Sequence, residues 1–355
     1  MNKYQSIETI AYCGQTDLQT TLQDRTQPLV IKGLVAHWPL TKLANNLELA
    51  LQHLQQSASE QYVYVNQAAH ESQGRFFYTD DFSDKNFTQS PQLLKTFLAS
   101  LAQRTNSSGT ESDFQYMAST SVDYCFPNLL LEHTLPVALP SPLVSAWLGT
   151  QSVAATHFDV PQNIACNVLG QRRFTLFPPE QHDNLYIGPL DFTPAGQPVS
   201  LVDVKAPNLM KHPKFSTAIA HGYQVTLAPG DALFIPSMWW HNVEALDNVN
   251  LLFNYWWHSN PTYLGAPMDA LKHAILSIKS LPIEQRQAWK QLFSSYVFDH
   301  QPDQFEHIPQ NALGMLDDLI ESNTNQYQTL SEAEATTPEM RARQIRASLL
   351  KALNK

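Results

Sequence analysis

Apolar residues in this chain repeat with two different periods, and the change of period divides the sequence. PLVIKGLV (28–35) is a β-branched run entered by Pro28 and broken by Gly33, which predicts a strand. Residues 41–56 and 91–103 place apolar side chains at helical spacing, as in Leu93, Leu94, Phe97, Leu98 and Leu101. YVYV (62–65) reads as a strand between them, and the polar segment 106–113 as a surface loop before a strand at 114–119. From about 143 to 257 the pattern becomes short strands at 163–168, 172–177, 223–227, 231–235 and 249–256, with a tight turn at Pro229-Gly230-Asp231. The stretch 178–222, rich in Pro, Asp and His, reads as one long excursion. Beyond 260 the spacing is helical: Leu271, Ala274, Ile275 and Ile278 share one face of 268–280, and Trp289, Leu292, Phe293 and Tyr296 one face of 283–298. A polar stretch (321–336) precedes Thr337, an N-cap candidate, and Pro338, which opens a last helix to Leu353. There is no internal repeat. Short strands with one long excursion predict a mainly β fold with flanking helices, built on a double-stranded jelly roll, with a first domain over 1–260 and a helical region over 261–355.

Composition narrows the class. With 355 residues, 43% of them hydrophobic, the chain can bury a large core, and 23 prolines against 12 glycines suit a loop-rich β body. The net charge of −10, with no basic run longer than Arg172-Arg173, argues against a nucleic-acid partner. Three cysteines without CxxC spacing fit neither a disulfide framework nor a zinc knuckle. The N-terminus lacks an apolar signal core and no apolar run reaches the length of a membrane span, so a soluble cytoplasmic protein without membrane contact is expected.

The chemistry concentrates in THFDVPQN (156–163). On a strand, residues i and i+2 point to one face, so His157 and Asp159 can offer an imidazole nitrogen and a carboxylate oxygen to one metal ion. WWHNVEAL (239–246) supplies a third candidate, His241, just after an apolar strand and 84 residues along (241 − 157), as distant strands of one barrel would require. Two histidines and a carboxylate leave metal positions open for small molecules, which suits non-haem iron(II).

HxD, then Asn163, then GQRRFTLFPP (170–179), PGDALFIP (229–236), WWH (239–241) and NYWW (254–257) together resemble the cupin-like, JmjC-related oxygenases that use iron(II) and 2-oxoglutarate. That family includes the asparaginyl hydroxylase acting on hypoxia-inducible factor. The ordered motifs span about 150–257, and VIKGLVAHWPL and FQYMAST extend the likeness upstream to 28. The resemblance implies oxidative decarboxylation of 2-oxoglutarate to succinate and carbon dioxide, coupled to hydroxylation of an amino-acid side chain in a protein or peptide-like substrate. It also assigns roles. Arg172 takes the place of a lysine that pairs with the distal carboxylate of 2-oxoglutarate, and Tyr116 that of a tyrosine bonding the same group. Asn163 and Asn254 match two asparagines at the co-substrate end of the barrel. Ala154 departs from the pattern: the hypoxia-factor enzyme has a co-substrate-binding threonine there, and Thr156 would face the opposite way on the strand. Asn167 shares the parity of Asn163 and is a further pocket candidate; Trp239, Trp240, Trp256 and Trp257 could form a substrate wall, but such aromatics in a barrel are more often packing and are left out of the site. By the same analogy the C-terminal helices form a homodimer interface. Three other readings stay open: a zinc or manganese cupin isomerase or hydrolase, a non-catalytic binding barrel, and an RNA-modifying hydroxylase.

Overall fold

The alternating segments pair into two sheets. The computed structural model describes residues 3–105, 113–258, 264–299, 301, 303–309, 312–313, 316 and 338–353. Residues 106–112, 321–336 and the N-cap candidate Thr337 lie outside the described residues. Two units are present, Met1–His258 and Ser259–Lys355. The first holds β1 (Thr9–Ala11), β2 (Leu29–Lys32), β3 (Tyr62–Ala68), β4 (Arg75–Phe76), β5 (Phe87–Leu93), β6 (Phe114–Ser121) and β7 (Leu143–Gly149). There follow β8 (Ser152–His157), β9 (Gln162–Leu169), β10 (Arg172–Phe177), β11 (Tyr223–Leu227), β12 (Ala232–Ile235), β13 (Trp240–Ala245) and β14 (Asn250–Trp257).

One sheet runs β1-β2-β12-β9-β14-β7-β6-β3-β5 and the other β11-β10-β13-β8-β4. From β7 onward the chain mostly steps between them: β7, β9, β12 and β14 lie in the large sheet, β8, β10, β11 and β13 in the small one. Sequence neighbours therefore face each other across a barrel instead of pairing side by side, which is the jelly-roll arrangement. The exception is β10 and β11, which pair directly across the excursion at 178–222; that excursion holds a short 3-10 segment (Pro179–Asn184) and one helix (Phe215–His221).

Period-two patterning produces two cores. Ala165, Phe174, Leu176, Leu233, Ile235 and Leu252 are buried between the sheets. Emptying one such position is costly: truncating a buried phenylalanine such as Phe174 to alanine removes about 3–5 kcal/mol. The other face of the large sheet carries Ile31, Val63, Val65, Met117 and Leu148, and onto it the helices Leu47–Ser57 and Leu94–Thr105 pack Leu51, Leu54, Phe97 and Leu101. The Pro-Gly-Asp turn joins β11 to β12 with Gly230 at φ +97°, and the Asp231 carboxylate holds Lys32 Nζ at 2.7 Å and the Gly33 amide at 3.1 Å.

Two helix expectations are corrected at their starts. Residues 41–56 break into Pro39–Lys42 and Leu47–Ser57, because the Asn46 side chain accepts the Leu49 amide and starts the second helix afresh. Residues 91–93 are strand, since Pro91 and Leu93 lie opposite Tyr64 and Tyr62 in the β3–β5 ladder. In the second unit, helices run over Pro267–Ile278, Ile283–Phe293 and Pro338–Leu353, and a π-helical turn (Ser294–Phe298) closes the second of these. No described helix is long and apolar enough to cross a membrane.

Candidate functional site

β8 ends at His157 and β13 begins at Trp240, and the antiparallel register sets His157 opposite His241. Their rings stand 4.3 Å apart between centroids. Asp159, just beyond the end of β8, brings Oδ2 to 3.5 Å from His241 Nε2. One ligand atom from each of the three residues lies within 4.8 Å of the others. Ligand atoms at right angles on a metal with bonds of about 2.1 Å are about 3 Å apart, so small side-chain rotations close the set around an ion.

Both imidazoles are held in the same way. His157 Nδ1 is 2.8 Å from the Ala155 carbonyl and His241 Nδ1 is 2.9 Å from the Trp239 carbonyl. A carbonyl only accepts, so each Nδ1 carries the proton and each Nε2 keeps its lone pair for a metal. Burial, reinforced by His241 beside it, pushes the His157 pKa down to about 4, leaving the ring neutral at physiological pH. Burial works to raise the Asp159 pKa, but the neighbouring His241 and His157 outweigh it, and the carboxyl lies below its ordinary value. Two imidazoles that turn Nε2 toward one carboxylate fit iron(II) with room for further ligands.

Arg172 opens β10 and is 4% exposed, with Leu227 and Ala245 as its ladder neighbours. Its Nε has no hydrogen-bond partner and no carboxylate among the described residues pairs with it. Burial pulls its pKa down to about 10, with Tyr116 the charge partner that counters this. A buried guanidinium without a counter-charge fits an anionic ligand such as a carboxylate. Tyr116, on β6, is within electrostatic reach of both Arg172 and Asp159, and burial pushes its phenol well above the ordinary range. Asn163 and Asn254 are buried on β9 and β14 and bond to each other, Asn254 Nδ2 donating to Asn163 Oδ1 at 2.6 Å.

A cavity of about 460 Å³ reaches this cluster, with Tyr116, His157 and Asp159 in its wall. His241, Arg172, Asn163 and Asn254 are not among its lining residues. Ala154 lines it and Thr156 does not; the buried Thr156 hydroxyl has no partner. Asn167 is corrected: its Nδ2 donates to the Gly170 carbonyl at 2.6 Å and to Leu227 at 3.3 Å, so it ties the β9–β10 turn and stays out of the cavity. Trp256 is corrected in the opposite sense, as part of the cavity wall. Five rings follow one another along that wall: Phe87 to Phe76 at 5.5 Å, Phe76 to Tyr116 at 5.5 Å, Tyr116 to Trp147 at 6.0 Å and Trp147 to Trp256 at 5.8 Å. Sequence reasoning missed Phe76, Phe87 and Trp147. Strand alternation through SAWLG (145–149) is the one signal that marks Trp147 as facing the barrel.

The profile of the family described as a cupin-like domain matches residues 15–263. The chain is 27% identical over 250 residues to Jumonji C domain-containing protein 5 of Drosophila melanogaster, covering 68% of this chain and 57% of that protein. It is 28% identical over 238 residues to lysine-specific demethylase 8 of Xenopus tropicalis, covering 65% and 48%. It is also 24% identical over 302 residues to tRNA wybutosine-synthesizing protein 5 of Mus musculus, covering 75% and 86%. The chain thus spans about half the length of the first two relatives and most of the third.

Proposed function

The chain belongs to the cupin-like domain family, and from that membership we propose that it is an iron(II)- and 2-oxoglutarate-dependent oxygenase whose metal is held by His157, Asp159 and His241. The observation that carries this reading is the pair of imidazoles whose Nδ1 atoms rest on backbone carbonyls, so that each Nε2 is the ring atom left to meet a metal beside the Asp159 carboxylate. When bound, iron(II) with 2-oxoglutarate and dioxygen supplies the oxidation that turns a C–H bond into C–OH, releasing succinate and carbon dioxide. Arg172 binds the distal carboxylate of 2-oxoglutarate, with two parallel N–H donors where the family's lysine offers a point charge. Tyr116 supports the same carboxylate, its phenol kept protonated by burial and so able to donate. The Asn163–Asn254 pair fixes β9 against β14 at the co-substrate end. The aromatic wall excludes water from the reacting centre.

The substrate in this reading is an amino-acid side chain of a protein or peptide-like molecule, as for the asparaginyl hydroxylase that the motifs resemble, and the protein works in the cytoplasm. The exposed apolar residues of the C-terminal helices, Leu271 (48%), Leu276 (81%), Ile283 (53%), Trp289 (44%) and Leu292 (44%), support a homodimer formed through them. One second reading has a specific observation behind it. The alignment to the tRNA wybutosine-synthesizing protein runs along 86% of that relative, which favours an RNA substrate; the net charge of −10 opposes it.

Adding iron(II) and 2-oxoglutarate without oxygen should produce a visible metal-to-ligand absorption band, and admitting air should yield succinate slowly even without prime substrate. Tight zinc binding by four protein ligands with no such band would replace the oxygenase by a cupin isomerase or hydrolase.

A further inference from the structure

Beyond the metal ligands, the wall of the cavity is almost uncharged, and several donors in it have no acceptor among the described residues: the indole N–H groups of Trp147 and Trp256 and the amide of Asn66. Asn66, on β3, is 7% exposed and lines the cavity. Its Oδ1 accepts a hydrogen bond from Gln89 Nε2 of β5 at 3.0 Å, and no partner among the described residues takes its NH2 group. With the rest of the residue packed and its oxygen engaged, the remaining donor faces the cavity. Asn66 lies opposite Tyr116 in the β3–β6 ladder, and Tyr116 is within electrostatic reach of Asp159. Asn66, Tyr116, His157 and Asp159 line the same cavity. Phe76 and Phe87 stand in its wall, edge to face at 71°. Among the described lining residues, Asp159 is the one carboxylate, and there is no lysine or arginine.

These features select for the chemistry of the group that enters. A donor that opens into the cavity with no protein acceptor is placed to meet a ligand that supplies an oxygen. An ammonium, methylated or not, would meet a donor at Asn66 and find no carboxylate other than the metal ligand to balance its charge. Building on the oxygenase reading, we propose that Asn66 determines substrate specificity by donating to a carbonyl or carboxamide oxygen of the prime substrate, and that the group entering the cavity is uncharged. Gln89 acts through Asn66 as a positioning residue, holding the carboxamide so that its NH2 faces inward.

The test uses the whole chain loaded with manganese(II) and 2-oxoglutarate, so that the paramagnetic ion broadens the NMR lines of any small molecule held near it. The probes are N-acetyl-glutamine methylamide and N-acetyl-dimethyllysine methylamide. The carboxamide probe should be relaxed and the dimethyl-lysine probe should not. Asn66→Leu should weaken the carboxamide probe about tenfold, the effect of one lost hydrogen bond in a buried site. Gln89→Ala, at an exposed position, should weaken it two- to fivefold with an unchanged unfolding midpoint; it decides the matter if Asn66→Leu does not fold. Relaxation of the dimethyl-lysine probe equal to or above that of the carboxamide, no relaxation of the carboxamide, or unchanged affinity in folded Asn66→Leu would each overturn the proposal. If 2-oxoglutarate itself fails to bind the manganese-loaded protein, the oxygenase reading falls, and this proposal with it.

Discussion

Replacing Arg172 by methionine should make the metal-free protein more stable while weakening its hold on 2-oxoglutarate. The guanidinium is 4% exposed, has an unpartnered Nε, and has no carboxylate beside it among the described residues. Burial lowers its pKa from 12.5 to about 10, which at about 1.4 kcal/mol per pH unit puts the cost of keeping the charge inside at about 3–4 kcal/mol. Methionine fills much of the same volume without that cost, so the apo fold should gain about 1–3 kcal/mol. The co-substrate loses a charge-assisted pair in a buried site, worth about 2–4 kcal/mol, or roughly 30- to 1,000-fold in affinity. Arg172→Lys, which keeps the charge, should retain binding within about tenfold. Urea unfolding of the metal-free proteins measures the first effect, and anaerobic 2-oxoglutarate titration of the iron- or manganese-loaded proteins measures the second. A destabilised Arg172→Met with unchanged 2-oxoglutarate affinity would refute the reasoning and make Arg172 a structural residue.

Alanine at His157, Asp159 or His241 should lower iron affinity by more than 100-fold and abolish succinate formation while circular dichroism stays native; normal iron content in any of the three would remove that residue from the metal set. His133 is fully buried, with Nδ1 bonded to the Leu129 carbonyl at 2.7 Å and Nε2 accepting the Leu40 amide at 3.4 Å. Burial holds its pKa below the ordinary value. The unfolded chain therefore takes up this proton first as pH falls below about 6.5, and the stability that His133 contributes at neutral pH is lost through that range. Unfolding midpoints of the metal-free protein should fall between pH 7.5 and 5, and His133→Gln should flatten part of the slope, the remainder coming from His157. Sedimentation at micromolar concentration should show a dimer, and Leu292→Arg with Phe293→Arg should convert it to monomer; a clean 40 kDa species for the unaltered chain removes the dimer.

Much of the barrel was legible because its strands are short, alternating and separated by turn residues. ALFI at 232–235 and RRFTLF at 172–177 carry their burial pattern on their face. β8 and β13 were harder to delimit, since SVAATH and WHNVEA mix small, polar and apolar residues with no regular alternation of burial. The start of the helix at Leu94 was misplaced because Leu93 continues the helical spacing even though its backbone is taken up by the β3 ladder. Within the site, strand parity predicts His157 and Asp159 on one face, but β8 ends at His157 and Asp159 follows it outside the strand; the roles proposed for Arg172 and Tyr116 were accessible only through the family resemblance.

Local periodicity tells which way a side chain points, so the chain by itself determined the barrel class, the two-residue spacing of the first two candidate ligands and the candidacy of His241. It carries no local record of which strands lie side by side. The pairing of His157 with His241, the bond between Asn163 and Asn254, the row of rings from Phe87 to Trp256 and the half-satisfied Asn66 all depend on register between strands far apart in sequence. That register is set by the fit of whole sheets against each other, because a slip of one residue would turn every buried side chain of a strand toward the wrong face. The tertiary structure therefore decided what surrounds the candidate metal ligands, and with it the chemistry of what can enter.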